Sequence, residues 1–263
     1  HIEYNLLYRW FVGLGIDDPV WDHSTFTQNR DRLLDNEMSG HFFAGVKQLA
    51  EWVELSGDEH FSIDGTLLDA WASHKSFMRK DGSSNPPDDN SRNPSRDFAG
   101  EKRSNATHES TTDPDARLTR KSDGDASRLC YMGHVLMENR NGLVVDVNVS
   151  AATGMAEREE SLKLLQANTK SGATVGEDRG YDVDTHIKAV QALGVIPHVA
   201  AKRKGSAVPD DLRQGEGYAI SLKIRKRIEE VFGWMKTVGG MRKLKLIGRE
   251  KVSGQFRFVA AIY

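Results

Sequence analysis

The sequence has one cysteine in 263 residues, Cys130. That excludes an intrachain disulfide framework and any cysteine-rich zinc site. It has no apolar run near the roughly 18 residues of a membrane span, and 28% of its residues are charged. It has no basic n-region and no signal peptide; it opens on His1-Ile2-Glu3-Tyr4. Together with the lone thiol, this reads as a cytoplasmic chain. The ends, without Met at the start and inside the apolar run Phe258 to Tyr263 at the finish, read as those of a piece of a longer frame. Nucleotide-binding loops are also missing: Gly13-Leu14-Gly15 lacks the third glycine and a preceding strand, and no Walker A loop occurs. The nine histidines show no metal-binding spacing. His134 reads as a structural residue within a strand and Cys130 as an inert thiol.

Net basic charge is absent too: 36 Lys and Arg against 38 Asp and Glu leave −2. The distribution is uneven. Lys202 to Lys251 holds fourteen basic and six acidic residues, a local +8, which leaves −10 for the rest. Such a stretch is either a solvated helical face or a surface turned toward a polyanion.

The apolar pattern divides the chain at about residue 57. Residues 1–57 read as a small helical module: Leu6, Leu7, Trp10 and Phe11 recur at helix spacing, Ser24 stands as an N-cap, and Phe42, Val46, Leu49, Ala50 and Val53 form a third stripe. An ordinary packing unit and a helix-turn-helix both fit. Residues 58–263 read as α/β. A strand over His60 to Leu67 comes first. The stretch 79–127 follows, with four of the seven prolines and few apolar side chains. It reads as a polar, partly disordered insertion, because it buries too little to offset its ordering entropy. A hairpin over Tyr131 to Val149 turns at Asn139-Arg140-Asn141-Gly142. Then come a helix over Arg158 to Ala167, a strand over Thr174 to Glu177, a helix over Thr185 to Leu193, a strand over Val195 to Ala201, a polar loop to Gly217, and a long helix capped by Ser221 that runs to Val238. This order predicts a mixed sheet with helices on its faces.

Three acids occupy positions where such sheets build sites. Asp64 and Asp178 fall near strand ends, where crossover sheets bind their ligands, and Glu229 falls inside the last predicted helix. Singly, a strand-end Asp is ordinarily a turn former and a helical Glu ordinarily a solvated one. Within that helix Ile224, Ile228, Val231 and Met235 form one stripe, and Arg225, Glu229 and Lys236 a second about 100° away. The second stripe is either a wet Arg–Glu pairing or a metal carboxylate flanked by cations for phosphate. Hard divalent cations take oxygen ligands, and two of them about 4 Å apart stabilise the attacking and leaving oxygens of a phosphodiester.

The motifs then identify a resemblance. Tyr8-Arg9-Trp10-Phe11-Val12-Gly13-Leu14, Asp22-His23-Ser24-Thr25-Phe26, Asp64-Gly65-Thr66, Gly133 through Arg140, Glu177-Asp178-Arg179-Gly180-Tyr181-Asp182 and Ile228 through Lys236 resemble DDE transposases of bacterial insertion sequences, in particular the insertion-sequence-five superfamily. The resemblance implies a ribonuclease-H-like mixed sheet flanked by helices, after an N-terminal module for DNA binding or assembly. It implies Asp64, Asp178 and Glu229 as the D-D-E triad and as ligands of two Mg²⁺ or Mn²⁺ ions. Arg225 and Lys236 match the Arg and Lys of the Tyr-x2-Arg-x3-Glu-x6-Lys signature and would contact phosphate, while Leu222 stands where that signature has Tyr. Lys202, Arg203 and Lys204 would extend the DNA footprint. The implied activity is cutting and joining of double-stranded DNA, inverted repeats and target alike, by metal-dependent hydrolysis and strand transfer. A homodimer on DNA, associated with the nucleoid, is the implied setting. A non-catalytic DNA-binding remnant and a nuclease that cuts without joining are the alternatives.

Overall fold

The computed structural model describes residues 1–34, 36–82, 103–122 and 124–263, and of these not the side chains of residues 26, 31, 33 and 36. In chain order the elements are α1 (Leu6–Phe11), α2 (His23–Leu33), α3 (Asn36–Trp52), β1 (His60–Asp69), β2 (Phe77–Arg79), β3 (His108–Ser110), β4 (Arg117–Thr119), β5 (Arg128–Glu138), β6 (Val144–Ala151), α4 (Ala156–Asn168), β7 (Thr174–Glu177), α5 (Asp184–Ala192), β8 (Ile196–Val199), α6 (Asp210–Arg213), α7 (Glu216–Ile224), α8 (Ile228–Thr237) and α9 (Arg249–Ile262).

The expected mixed sheet flanked by helices is present. Its order is β6-β5-β1-β7-β8, with β4 continuing along the β5 edge that β6 occupies farther on. β1, β5 and β6 form an antiparallel meander, whereas β1, β7 and β8 are parallel. Alternation along β1 splits the core. Leu68 joins a cluster with Val135, Ile228, Val231, Met235 and Phe256 beneath α8 and α9, while Phe61 and Ile63 join Leu164, Leu165 and Val190 beneath α4 and α5. Each such side chain, fully buried, stabilises by about 1.5–3 kcal/mol.

The hairpin is held by a buried acid. Glu138, fully buried, accepts the backbone N–H groups of Arg140, Asn141 and Leu143 at 2.8–2.9 Å and that of Gly57 at 3.2 Å. Beside it Asn139 accepts from Ser62 Oγ at 2.6 Å and donates to the Phe61 carbonyl at 3.1 Å, which ties the turn to β1. Glu138 and Asn139 of the quoted motif thus close a turn.

Several expectations change. The long helix from Ser221 to Val238 is two helices, α7 and α8, joined by a 3₁₀ turn over Arg225–Arg227; Ser221 lies buried inside α7 and caps nothing. The expected loop up to Gly217 contains α6 and the start of α7. Of the polar stretch 79–127, residues 83–102 lie outside the described residues, but 103–122 fold back. β3 pairs with β2, β4 with β5, and fully buried Asp113 accepts the Tyr131 hydroxyl at 2.5 Å. Few apolar residues suffice there because the segment borrows an existing sheet edge. In residues 1–57 the helices occur, but the expected apolar faces do not pack. Leu6, Leu7, Trp10 and Phe11 are all exposed, and α1 is held by Arg9, whose guanidinium donates to the carbonyls of Gly15 and Asp18. Asp22 caps α2 by accepting the Ser24 N–H at 2.8 Å, so Ser24 is not the cap. α3 buries Ser39 and Phe43, on the side that meets α9, leaving Val46 and Leu49 exposed. No helix among the described residues is long and apolar enough to cross a membrane.

Candidate active site

β7 pairs with β1 only as far as Ser62, opposite Gly176, and β1 runs on to Asp69. Between Ser62 and the isolated parallel bridge of Asp69 to Lys243, β1 therefore has no strand neighbour on that side among the described residues, and Asp64 and Asp178 meet at this gap. Asp64 lies on this stretch. Asp178 is the first residue past β7, where its carboxylate caps a 3₁₀ turn by accepting the Gly180 N–H at 2.6 Å. Its neighbour Glu177 faces away, fully buried, with Oε1 2.9 Å from His186 Nε2.

Asp64 is mostly enclosed, with 18% of its side chain exposed. Burial, and after it the charge of Asp178, pushes its carboxyl up to about 7, against the opposing pull of the Gly65 N–H and Arg225. The Gly65 N–H donates to Asp64 Oδ1 at 2.8 Å, and Arg225 Nη1 lies 3.8 Å from Oδ2. Glu157, in the first turn of α4, adds to the crowding. Its own carboxyl is raised, first by burial and then by Asp178. A second cation reaches the same strand: Lys236 Nζ donates to Thr66 Oγ1 at 2.6 Å.

The two predicted stripes are real. Ile228, Val231 and Met235 are fully buried, and Arg225 and Lys236 both reach the Asp64–Thr66 segment. Glu229 lies between them on the same stripe; it is exposed and forms no ion pair or hydrogen bond with a described residue. Of the expected triad, then, the structure brings Asp64 and Asp178 together, while Glu229 stands exposed in the first turn of α8 and is not among the groups acting on Asp64. Lys202 is engaged elsewhere: its backbone N–H and Nζ hold Asp182, at 2.7 and 2.6 Å, while Arg203 and Lys204 are exposed. A cavity of about 610 Å³ sits at the opposite end of the sheet, lined by His60, Glu138, Thr174, His198 and Ser221 among others, away from the acids.

These features meet a direct comparison. The family model described as Transposase DDE domain matches residues 56–263, most of the chain and all three acids. The chain belongs to the DDE transposase family. A second model, Transposase domain (DUF772), matches residues 1–32. No curated protein matches the chain. Among solved structures it is similar to the Mos1 transposase paired-end complex with left transposon end, at 7% identity and TM-score 0.26, covering 97% of this chain and 65% of that one. It is also similar to the Mos1 mariner paired end complex with Mn, at 10% identity and TM-score 0.26, covering 86% and 59%. The chain thus spans less than two thirds of the length of those proteins.

Within this transposase domain, sequence reasoning missed Glu157. It reads as one of several acids in an amphipathic helix, and nothing in its spacing marks it. The one available signal was Gly65, whose lack of a Cβ leaves room for a close neighbour. Glu157 Cγ and Oε1 lie 2.9 and 3.0 Å from where a Cβ would stand. The same reasoning also passed over Tyr181, which is buried with its hydroxyl unpartnered among the described residues.

The donor set suits a hard divalent cation. Asp64 and Asp178 supply only carboxylate oxygens, the preference of Mg²⁺ and Mn²⁺, and their mutual repulsion is the kind that a cation relieves. Among the described residues no three acidic, His or Cys side chains yet converge closely enough to enclose an ion.

Proposed function

We propose that this DDE transposase domain cuts double-stranded DNA at the inverted-repeat ends of an insertion sequence and joins the freed ends to target DNA. The observation that carries the reading is the pairing of Asp64 and Asp178 where β1 runs on past the end of β7, inside the matched family domain. Asp64, Asp178 and Glu229 would hold two Mg²⁺ or Mn²⁺ ions. When bound, the cations supply charge stabilisation for the attacking and leaving oxygens of a phosphodiester.

The chain's own residues divide the remaining work. The Gly65 N–H and Arg225 orient the Asp64 carboxylate. Arg225 and Lys236 flank the Glu229 position and would contact backbone phosphate without reading sequence. Arg203 and Lys204, exposed, and Lys202 beside them would extend that footprint, giving salt-dependent affinity. Residues 1–57 would serve end binding or assembly, with a homodimer spanning paired ends in the nucleoid.

Strand transfer tests the reading. With a fragment carrying the element's ends and a supercoiled target plasmid, the wild type should yield joined products that need Mg²⁺ or Mn²⁺. Cleavage without any joined product would instead identify a nuclease.

A further inference from the structure

The acid missed by sequence reasoning lies across β1 at Gly65. We propose that Glu157 is a further carboxylate of the divalent-cation centre, closing on the cation together with Asp64 and Asp178. This deepens the metal-dependent reading above and rests on it.

Three observations support it. The first is a seat. The side chain of Glu157 runs across Gly65, with Cγ and Oε1 at 2.9 and 3.0 Å from the position any Cβ there would need. Only glycine at 65 lets an acid from α4 lie this close to the strand residue next to Asp64. The second is charge. Asp64, Asp178 and Glu157 act on one another electrostatically. The cations that act on Asp64 and Glu157 are Arg225, 3.8 Å from Asp64, and Arg158, whose guanidinium donates to the carbonyls of Gly180 and Gly154, while Lys236 is engaged with Thr66. The positive end of the α4 dipole eases the crowding but falls off within a turn. The third is independent of the acids' own positions. Tyr181 is 1% exposed, its hydroxyl has no partner among the described residues, and it stands in the field of Asp64, Glu157, Glu177 and Asp178. A buried phenol ordinarily finds a partner. A hydrated cation seated among the carboxylates brings the water this hydroxyl lacks, since Mg²⁺ keeps part of its hydration shell. The side chains as they stand do not enclose an ion, so the long, flexible Glu157 is the arm that swings inward.

Calorimetric titration of Mn²⁺ into the full chain tests this, with the melting temperature of each metal-free variant alongside. Asp64→Asn should abolish binding. Glu157→Gln should raise the Kd at least tenfold while the metal-free melting temperature holds or rises, because a crowded charge is gone. Gly65→Ala, which pushes Glu157 off its seat, should weaken Mn²⁺ in the same way. If Glu157→Gln melts early, Glu157→Asp, which keeps the charge but is shorter by a methylene, must still weaken the ion. Binding lost in Asp64→Asn but unchanged in the Glu157 variants overturns this inference and leaves the metal-dependent reading intact. A folded wild type that takes up no Mn²⁺, or one whose binding ignores Asp64, overturns both.

Discussion

Replacing Asp64 by Asn should make the metal-free protein more stable at pH 8 and no more stable at pH 4. Asp64 keeps its proton up to about pH 7 when folded, against 3.8 for an ordinary aspartate. The folded state therefore binds more protons than the unfolded chain between those values. Stability from this group is fully present below pH 4, falls as the pH rises through 7, and is flat above. Three units at about 1.4 kcal/mol each set an upper limit near 4 kcal/mol, and coupling to Asp178 with local relaxation brings the expected effect to about 2 kcal/mol. For a chain of this size that is about 4–8 °C in Tm. Asn keeps an oxygen for the Gly65 N–H, so the substitution removes the charge and little else. Thermal melts at pH 4 and pH 8 should show wild type and variant together at the first and separated at the second. Mn²⁺ at pH 8 should raise the wild-type Tm and leave the variant unmoved. Equal melting at both pH values would show that Asp64 is an ordinary solvated acid, and the account of the site would fail.

Glu138→Ala should cost about 2–4 kcal/mol in urea unfolding, because four backbone N–H groups lose their acceptor at once. Gly133→Ala should cost about 1–3 kcal/mol, since its Cβ would come within 2.6 Å of Phe256 Cζ; Phe256→Ala, by contrast, should cost about 3–5 kcal/mol. Lys236→Met should leave the fold unchanged and reduce the salt dependence of DNA binding by about one counterion, read from binding isotherms at several salt concentrations.

The sheet was legible in the sequence because its strands carry their own signals. Val145, Val147 and Val149 alternate, an Asn-Gly turn joins β5 to β6, and Thr174–Glu177 matches β7 residue for residue. The stripe Ile228, Val231 and Met235 was legible for the same reason. What periodicity does not show is which neighbour covers a face. α3 carries two possible stripes, and the one buried is set by α9, a helix the composition did not announce. The break between α7 and α8 is likewise silent, since Arg225–Arg227 are good helix formers. Within the site, Asp178 was legible as a strand-end acid, whereas Asp64, expected near the end of its strand, stands in the middle of β1, which runs on to Asp69. Glu157 was not legible, because its approach to β1 at Gly65 depends on how α4 packs against that strand.

Nicking of supercoiled plasmid carrying the element's ends, by wild type and by Asp178→Ala, tests the central claim most directly. The account predicts cutting by the wild type that requires Mg²⁺ or Mn²⁺, and no cutting above background by the variant, although both bind the DNA equally well. Cutting by Asp178→Ala at the wild-type rate, or wild-type cutting that persists in chelator, would contradict it.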